Sequence, residues 1–321
     1  MKNPKLQEAV AIFKELGWNE VTPENVLSLP LGTPEQKRAA LAGLKSGEWG
    51  EFTELSENTY GWRSFVDVDE GKLALFAVRA GIDAAKAVNI LYRSDRDMIV
   101  PVIAERGAPF AADFIRHACV ARRRMFEHSA SAFGSVAVTL VDKLDMEIPQ
   151  SVEYMKDWSV YAAAAMGLKA ETLRNETGLP KPEIIEKRFA AHIRSGVAVG
   201  VPATGPFGSV FPEGVKRGLL DRGKAIDLAF FALDAAVRPG DRKVWLDILD
   251  ALGVGDGEYC ARIQSLIPLL ASGDAAVIAR LAPTLIAQAG KNLLMEVMQA
   301  ALSASTGKAR QAVLRAALDR P

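Results

Sequence analysis

The chain has 321 residues, 49% of them hydrophobic, and its 39 lysines and arginines equal its 39 aspartates and glutamates. That composition supplies ample core material and excludes a global attraction to nucleic acid or anionic lipid. Two cysteines in unrelated contexts exclude a disulfide framework, three histidines leave little for a metal site, and runs such as Ser159–Leu168 are too short to span a bilayer.

Residues 1–18 carry charges throughout and lack an apolar signal core, so a soluble, cytoplasmic protein is expected, with no membrane contact. Leu6, Val10, Phe13 and Leu16 recur at helical spacing. Thr33-Pro34-Glu35-Gln36 predicts a helix start, because threonine caps, proline suits the first position and glutamine reaches back. Thr22-Pro23-Glu24 opens similarly, but Pro30 stops that helix early. The stretch 46–68 shows no clear period and reads as a long loop, in which Trp49, Tyr60 and Trp62 are expected to pack as an anchor. Residues 1–68 thus form N-terminal helices and an aromatic loop.

Helical period continues over 69–80, 83–93, 96–106, 109–128, 131–144, 149–166 and 182–195. Gly81 and Gly107 fall where helices should stop, and Pro109 in a first turn. Residues 69–195 read as a helical array. The glycine- and proline-rich residues 196–214 read as a hinge or loop before helical repeats over 215–321.

Those repeats are visible in two interleaved glycine series. Gly240, Gly273 and Gly307 open one set of helices at steps of 33 and 34 residues; Gly223, Gly257 and Gly290 open the other at 34 and 33. Each helix carries an apolar stripe, such as Val244, Trp245, Ile248, Leu249 and Leu252, or Tyr259, Ile263, Leu266, Ile267 and Leu270. A single helical hairpin leaves part of such a stripe wet, and stacked neighbours bury it. The expected fold is therefore all-α, an α-solenoid of stacked helical hairpins of the HEAT/armadillo type with a repeat of about 33 residues in the C-terminal third, continuous with 69–195. Pro268 and Pro283 fall inside helical runs, where they favour bending. The last helix carries Val313, Leu314 and Leu318 with no polar capping helix after it, so a fragment or a covered end is expected.

Candidate sites are few. "GVGDG" (253–257) resembles a nucleotide loop, but a strong amphipathic helix precedes it where a dinucleotide fingerprint needs a strand. Gly253 suits a left-handed helix stop and Asp256 a cap. Gly223-Lys224 and Gly307-Lys308 lack the following Ser/Thr of a P-loop. His117 and Cys119 point about 200° apart on a helix, and His117 and His128 are separated by about 16 Å of rise. His192 is isolated, so no metal or other cofactor is expected. Asp67, Asp69, Glu70, Asp142 and Asp145 read as helix-end carboxylates, and no histidine lies in a nucleophile-elbow setting. The basic group Arg116, Arg122, Arg123 and Arg124 reads either as cations complementing the dipole at a helix C-terminus or as part of an anion- or partner-binding patch. Lys216, Arg217, Arg222, Arg238, Arg242 and Lys243 lie on two successive inter-helix edges and are expected to line one ridge for an anion or partner.

The segments 73–120, with Arg96-Asp97 and "ERGAPFAADFI", and 217–282, with "RGLLDRGKAIDL" and "RPGD", resemble an uncharacterised bacterial family of large helical proteins, labelled domain of unknown function six-four-nine-three. The resemblance covers most of 70–290 and departs from the family pattern at "GVGDG". It implies a helical repeat scaffold, no known activity and no catalytic residue. The expected function is a non-enzymatic, protein-binding scaffold. The alternative is a nucleic-acid-binding HEAT-like protein in the style of alkylpurine glycosylases, against which the net neutrality counts.

Overall fold

The computed structural model describes residues 3–56, 59–120, 133–168 and 180–320. The protein is mostly helical, with one small two-stranded sheet among the described residues. It divides into two compact units. The N-terminal unit comprises Met1–Pro149 with Ala170–Ile184, and the C-terminal unit Gln150–Lys169 with Ile185–Pro321. The division therefore falls inside the expected 69–195 array and not at 196–214.

In the N-terminal unit, α1 (Pro4–Glu15) packs on α2 (Pro34–Leu44). The start of α2 is the expected capping box: Gln36 N–H donates to Thr33 Oγ1 at 3.2 Å, and Thr33 N–H to Gln36 Oε1 at 2.9 Å. The helix expected from Thr22 does not form, and residues 23–29 are turns. The carbonyl of Val26 would need the amide of residue 30, which is proline and has none. Arg79 supplies the donors instead. Its guanidinium reaches the carbonyls of Val26, Leu27 and Leu29 at 2.7–3.0 Å and pairs with both oxygens of Glu105. Arg79 lies on α3 (Glu70–Ala80), whose residues Leu73 to Ala80 are all buried, so α3 is the axis of this unit. Phe76 meets the rings of Phe13 and Trp18 at 5.8 and 5.2 Å. Around it lie α4 (Ala84–Ile90), α5 (Arg96–Glu105), α6 (Ala108–Val120) and α7 (Gly134–Lys143), with α5 between α3 and α7 and α4 against α6.

The expected loop at 46–68 is instead a β-hairpin. β1 (Gly50–Ser56) pairs antiparallel with β2 (Thr59–Ser64), with Phe52 opposite Trp62 and Glu54 opposite Tyr60; the register slips between Glu54 and Ser56. Tyr60, Trp62 and Ser64 alternate with Gly61 and Arg63, a period-two signal that the neighbouring acidic and glycine residues obscure.

The C-terminal unit has α8 (Val152–Ala165), the end of α9 (Pro182–Lys187), which the boundary at Ile184/Ile185 divides, α10 (Phe189–Ala198) and α11 (Pro206–Lys216). The helix expected at 182–195 is interrupted at Arg188. The expected hinge at 196–214 is largely helical, with only 199–205 between α10 and α11. Its glycines are points of close approach. A Cβ on Gly196 would lie 2.4 Å from the Phe207 ring, on Gly208 2.0 Å from the Ala203 carbonyl oxygen, and on Gly214 2.1 Å from the Phe189 ring. Phe211 meets Trp245 at 5.5 Å, edge to face, and joins α11 to the repeats.

The repeat region contains α12 (Arg222–Ala235), α13 (Pro239–Ala251), α14 (Asp256–Cys260), α15 (Ile263–Ala271), α16 (Ala275–Gln288), α17 (Lys291–Ala301) and α18 (Gly307–Leu318). The helix expected from Gly257 is split into α14 and α15. Both glycine series fall at helix starts: Gly223, Gly240, Gly257 and Gly307 in first turns, Gly290 at an N-cap, and Gly273 just before the N-cap Asp274. Among these helices, α13 packs on α12 and α16, α16 on α18, and α15 on α17.

Candidate interaction surface

The expected basic ridge was traced residue by residue. Arg222 opens α12, directly after Asp221, whose side chain caps that helix by accepting from Lys224 N–H at 3.0 Å. The Arg222 side chain then reaches 30 to 36 residues ahead. Its Nε donates to the Leu252 carbonyl and its Nη2 to the Gly253 carbonyl, both at 2.8 Å, while two further bonds of 2.8 and 2.9 Å hold Glu258. Leu252 is the C-cap of α13, and Gly253 follows it with φ +65°, a conformation natural only to glycine. A guanidinium thus covers the exposed carbonyls of a helix C-terminus, where both hydrogen bonding and the dipole favour it. The "GVGDG" segment is this joint. Glu258 also accepts from Gly255 N–H at 3.0 Å, and the Arg222 pair, with that amide, holds its carboxyl down at about 2.

Arg242 on α13 does the same one element later. Its Nε donates to the Ala236 carbonyl at 2.8 Å and its Nη1 to Ser272 Oγ at 3.2 Å, and it lies 3.7 Å from Asp274, the N-cap of α16. Arg262 pairs with Asp227 and stacks on Phe230 at 4.9 Å; Arg280 pairs with Asp250. These bridges join residues 30 to 36 positions apart. Arg217 donates to Glu213 at 2.8 Å and to the Met166 carbonyl, the C-cap of α8, at 2.6 Å; Lys216 lies 3.7 Å from Glu213. Arg217, Arg222 and Arg242 are therefore engaged within the fold, and the expected ridge reduces to Arg238 and Lys243. Both are exposed and, among the described residues, make no side-chain hydrogen bond or ion pair. Arg116 pairs with Asp113, whereas Arg122, Arg123, Arg124 and His128 lie outside the described residues. Charge pattern alone does not separate a clamping arginine from a presented one; what Arg222 clamps is the carbonyl immediately before the helix-stop Gly253 and that of the glycine itself.

Other sequence candidates resolve differently. His192 is buried, with Nδ1 3.0 Å from the Arg188 carbonyl and Nε2 3.2 Å from the Tyr154 hydroxyl. With a carbonyl as its partner, Nδ1 donates, and the ring stacks on Trp158 at 4.7 Å. No group of three or more His, Cys, Asp or Glu able to hold a metal occurs among the described residues, and no helix there is long and apolar enough to cross a membrane.

The surface carries apolar side chains that the repeat pattern did not mark. In the C-terminal unit these include Phe231, Val237 beside Arg238, Met295 and Leu318. In the N-terminal unit they lie on the hairpin. Of its three expected anchors, Trp49 is buried and Trp62 is held by Glu70 and Arg93, but Tyr60 is exposed, as is Phe52. No family model, curated protein or solved structure matches the chain, so the family resemblance of 73–120 and 217–282 rests on those residues alone.

Proposed function

We propose that the protein is a non-enzymatic, protein-binding scaffold whose C-terminal unit is an α-solenoid of the HEAT type. The observation supporting this most strongly is the set of arginine bridges at one repeat's spacing, on helices whose starts follow two glycine series of the same period. In a repeat stack each hairpin depends on its neighbours, and such bridges fix one repeat on the next while leaving an extended outer surface. Phe231, Val237 and Met295 supply apolar contact groups on that surface, with Arg238 and Lys243 as charged rim. The engagement of Arg222 and Arg242 in internal bonds counts against a nucleic-acid face, which needs such cations free for phosphate.

The test is affinity capture by the immobilised full chain from nuclease-treated extract of the cells that make it. A protein retained in near-stoichiometric amount, and reduced about tenfold by Phe231→Ser/Val237→Ser/Met295→Ser with unchanged Tm, is the expected result. Retention that disappears on nuclease treatment, or that the triple variant leaves intact, contradicts the reading.

A further inference from the structure

The hairpin presents exposed aromatic side chains away from the helices of the C-terminal third. Phe65 N–H donates to the Trp49 carbonyl at 2.7 Å, which makes 49/65 a hydrogen-bonded pair. The antiparallel alternation then makes 50/64, 52/62 and 54/60 the non-bonded pairs. The main-chain groups of Tyr60 and Trp62 therefore point outward along the β2 edge. The sheet has only two strands, and among the described residues no further strand pairs with that edge. An open edge is a template for an added strand.

One face of this hairpin shows what chemistry it takes. Phe52, Trp62, Glu54 and Tyr60 share that face. Trp62 lies over Gly50, donates its indole N–H to Glu70 at 2.7 Å, and carries the Arg93 guanidinium 4.3 Å above its ring; Glu70 also pairs with Arg93. A guanidinium seated on an aromatic ring beside a carboxylate is thus already built at one end of the face. Phe52 and Tyr60 continue the face outward, 71% and 64% exposed, next to Glu54. Residues 48–70 hold seven acidic side chains and one arginine, in a chain whose total charge is zero.

We propose that the open edge of β2 docks an extended, arginine-containing segment of a partner protein, which adds as a third strand and seats guanidinium groups over Phe52 and Tyr60. The charge selects this occupant. A second copy would bring two acidic hairpins together, and nucleic acid or an anionic membrane would be repelled. Cations over aromatic faces are attracted, and alternate side chains of an added strand fall on the same face as the rings.

The probe is a capped Arg-Val-Arg-Val-Arg-Val-Arg-Val peptide, titrated into the full chain by calorimetry at low and physiological salt. The expected result is saturable one-to-one binding, weakened about tenfold by Phe52→Thr/Tyr60→Thr, since two exposed cation–π contacts contribute about that much. Threonine keeps strand propensity, and an unchanged Tm with unchanged hydrogen-exchange protection of the β1–β2 amides establishes that the hairpin persists. Absence of binding at low salt, equal binding of a Glu-Val peptide, or binding unaltered in the double variant each overturns the proposal. Concentration-dependent dimerisation lost in the same variant overturns it in favour of a second copy. The Phe231/Val237/Met295 variant binds the probe normally, so failure here and failure of the scaffold reading are separable.

Discussion

At the residue scale, the arginines of this protein act mainly on main-chain carbonyls. Arg79 replaces the amide that Pro30 lacks, and Arg222 covers the end of α13. Neither role is visible in a charge pattern, because it depends on which carbonyls the fold leaves without donors. By contrast, the Thr33 cap and the stop at Gly253 were legible in sequence, since both are decided within one turn of chain. The Arg222–Glu258 pair gives a pH signature. Glu258 titrates near 2 when folded and near 4.5 ordinarily, so the folded state favours its ionised form. The resulting stability is fully present above about pH 4.5 and disappears as pH falls towards 2. Urea titrations of wild type and Glu258→Gln should therefore differ most at neutral pH and converge near pH 2; a difference constant across that range contradicts the assignment.

At the element scale, helix existence was readable from period and the nature of the linkers was not. Residues 196–214 have the composition of a hinge, yet Gly208 and Gly214 are glycine because Ala203 and Phe189 occupy the space of a side chain. Composition reports that a residue is small, and only packing reports why. The two explanations make opposite predictions for Gly208→Ala. At a solvent-exposed helical site the change gains about 1 kcal/mol of helix propensity. Against the Ala203 carbonyl it costs about 1–3 kcal/mol through overpacking, and a urea midpoint shifted downwards is the expected outcome. The hairpin was missed for the converse reason. Its alternation is short, and its outer residues are aromatic and acidic where a half-buried strand would be apolar and polar in turn.

At the scale of the whole molecule, the all-α class was set by pervasive helical period, and the glycines of the two series fall at or beside helix starts. The division into units was not legible, because one of its boundaries, between Ile184 and Ile185, falls inside α9. The ridge of basic residues is the instructive case: the sequence placed Arg217, Arg222 and Arg242 on inter-helix edges, and at those edges they bridge elements of the fold.

The most direct test is native-state hydrogen exchange of Arg222→Gln beside wild type. If Arg222 bridges successive repeats, amides of the α13 C-terminus and of α14 lose protection by roughly tenfold or more, as expected when a charged hydrogen-bond set is removed, while α3 of the N-terminal unit is unchanged. Protection in 248–260 indistinguishable from wild type would contradict the account and return Arg222 to the role of a surface contact residue.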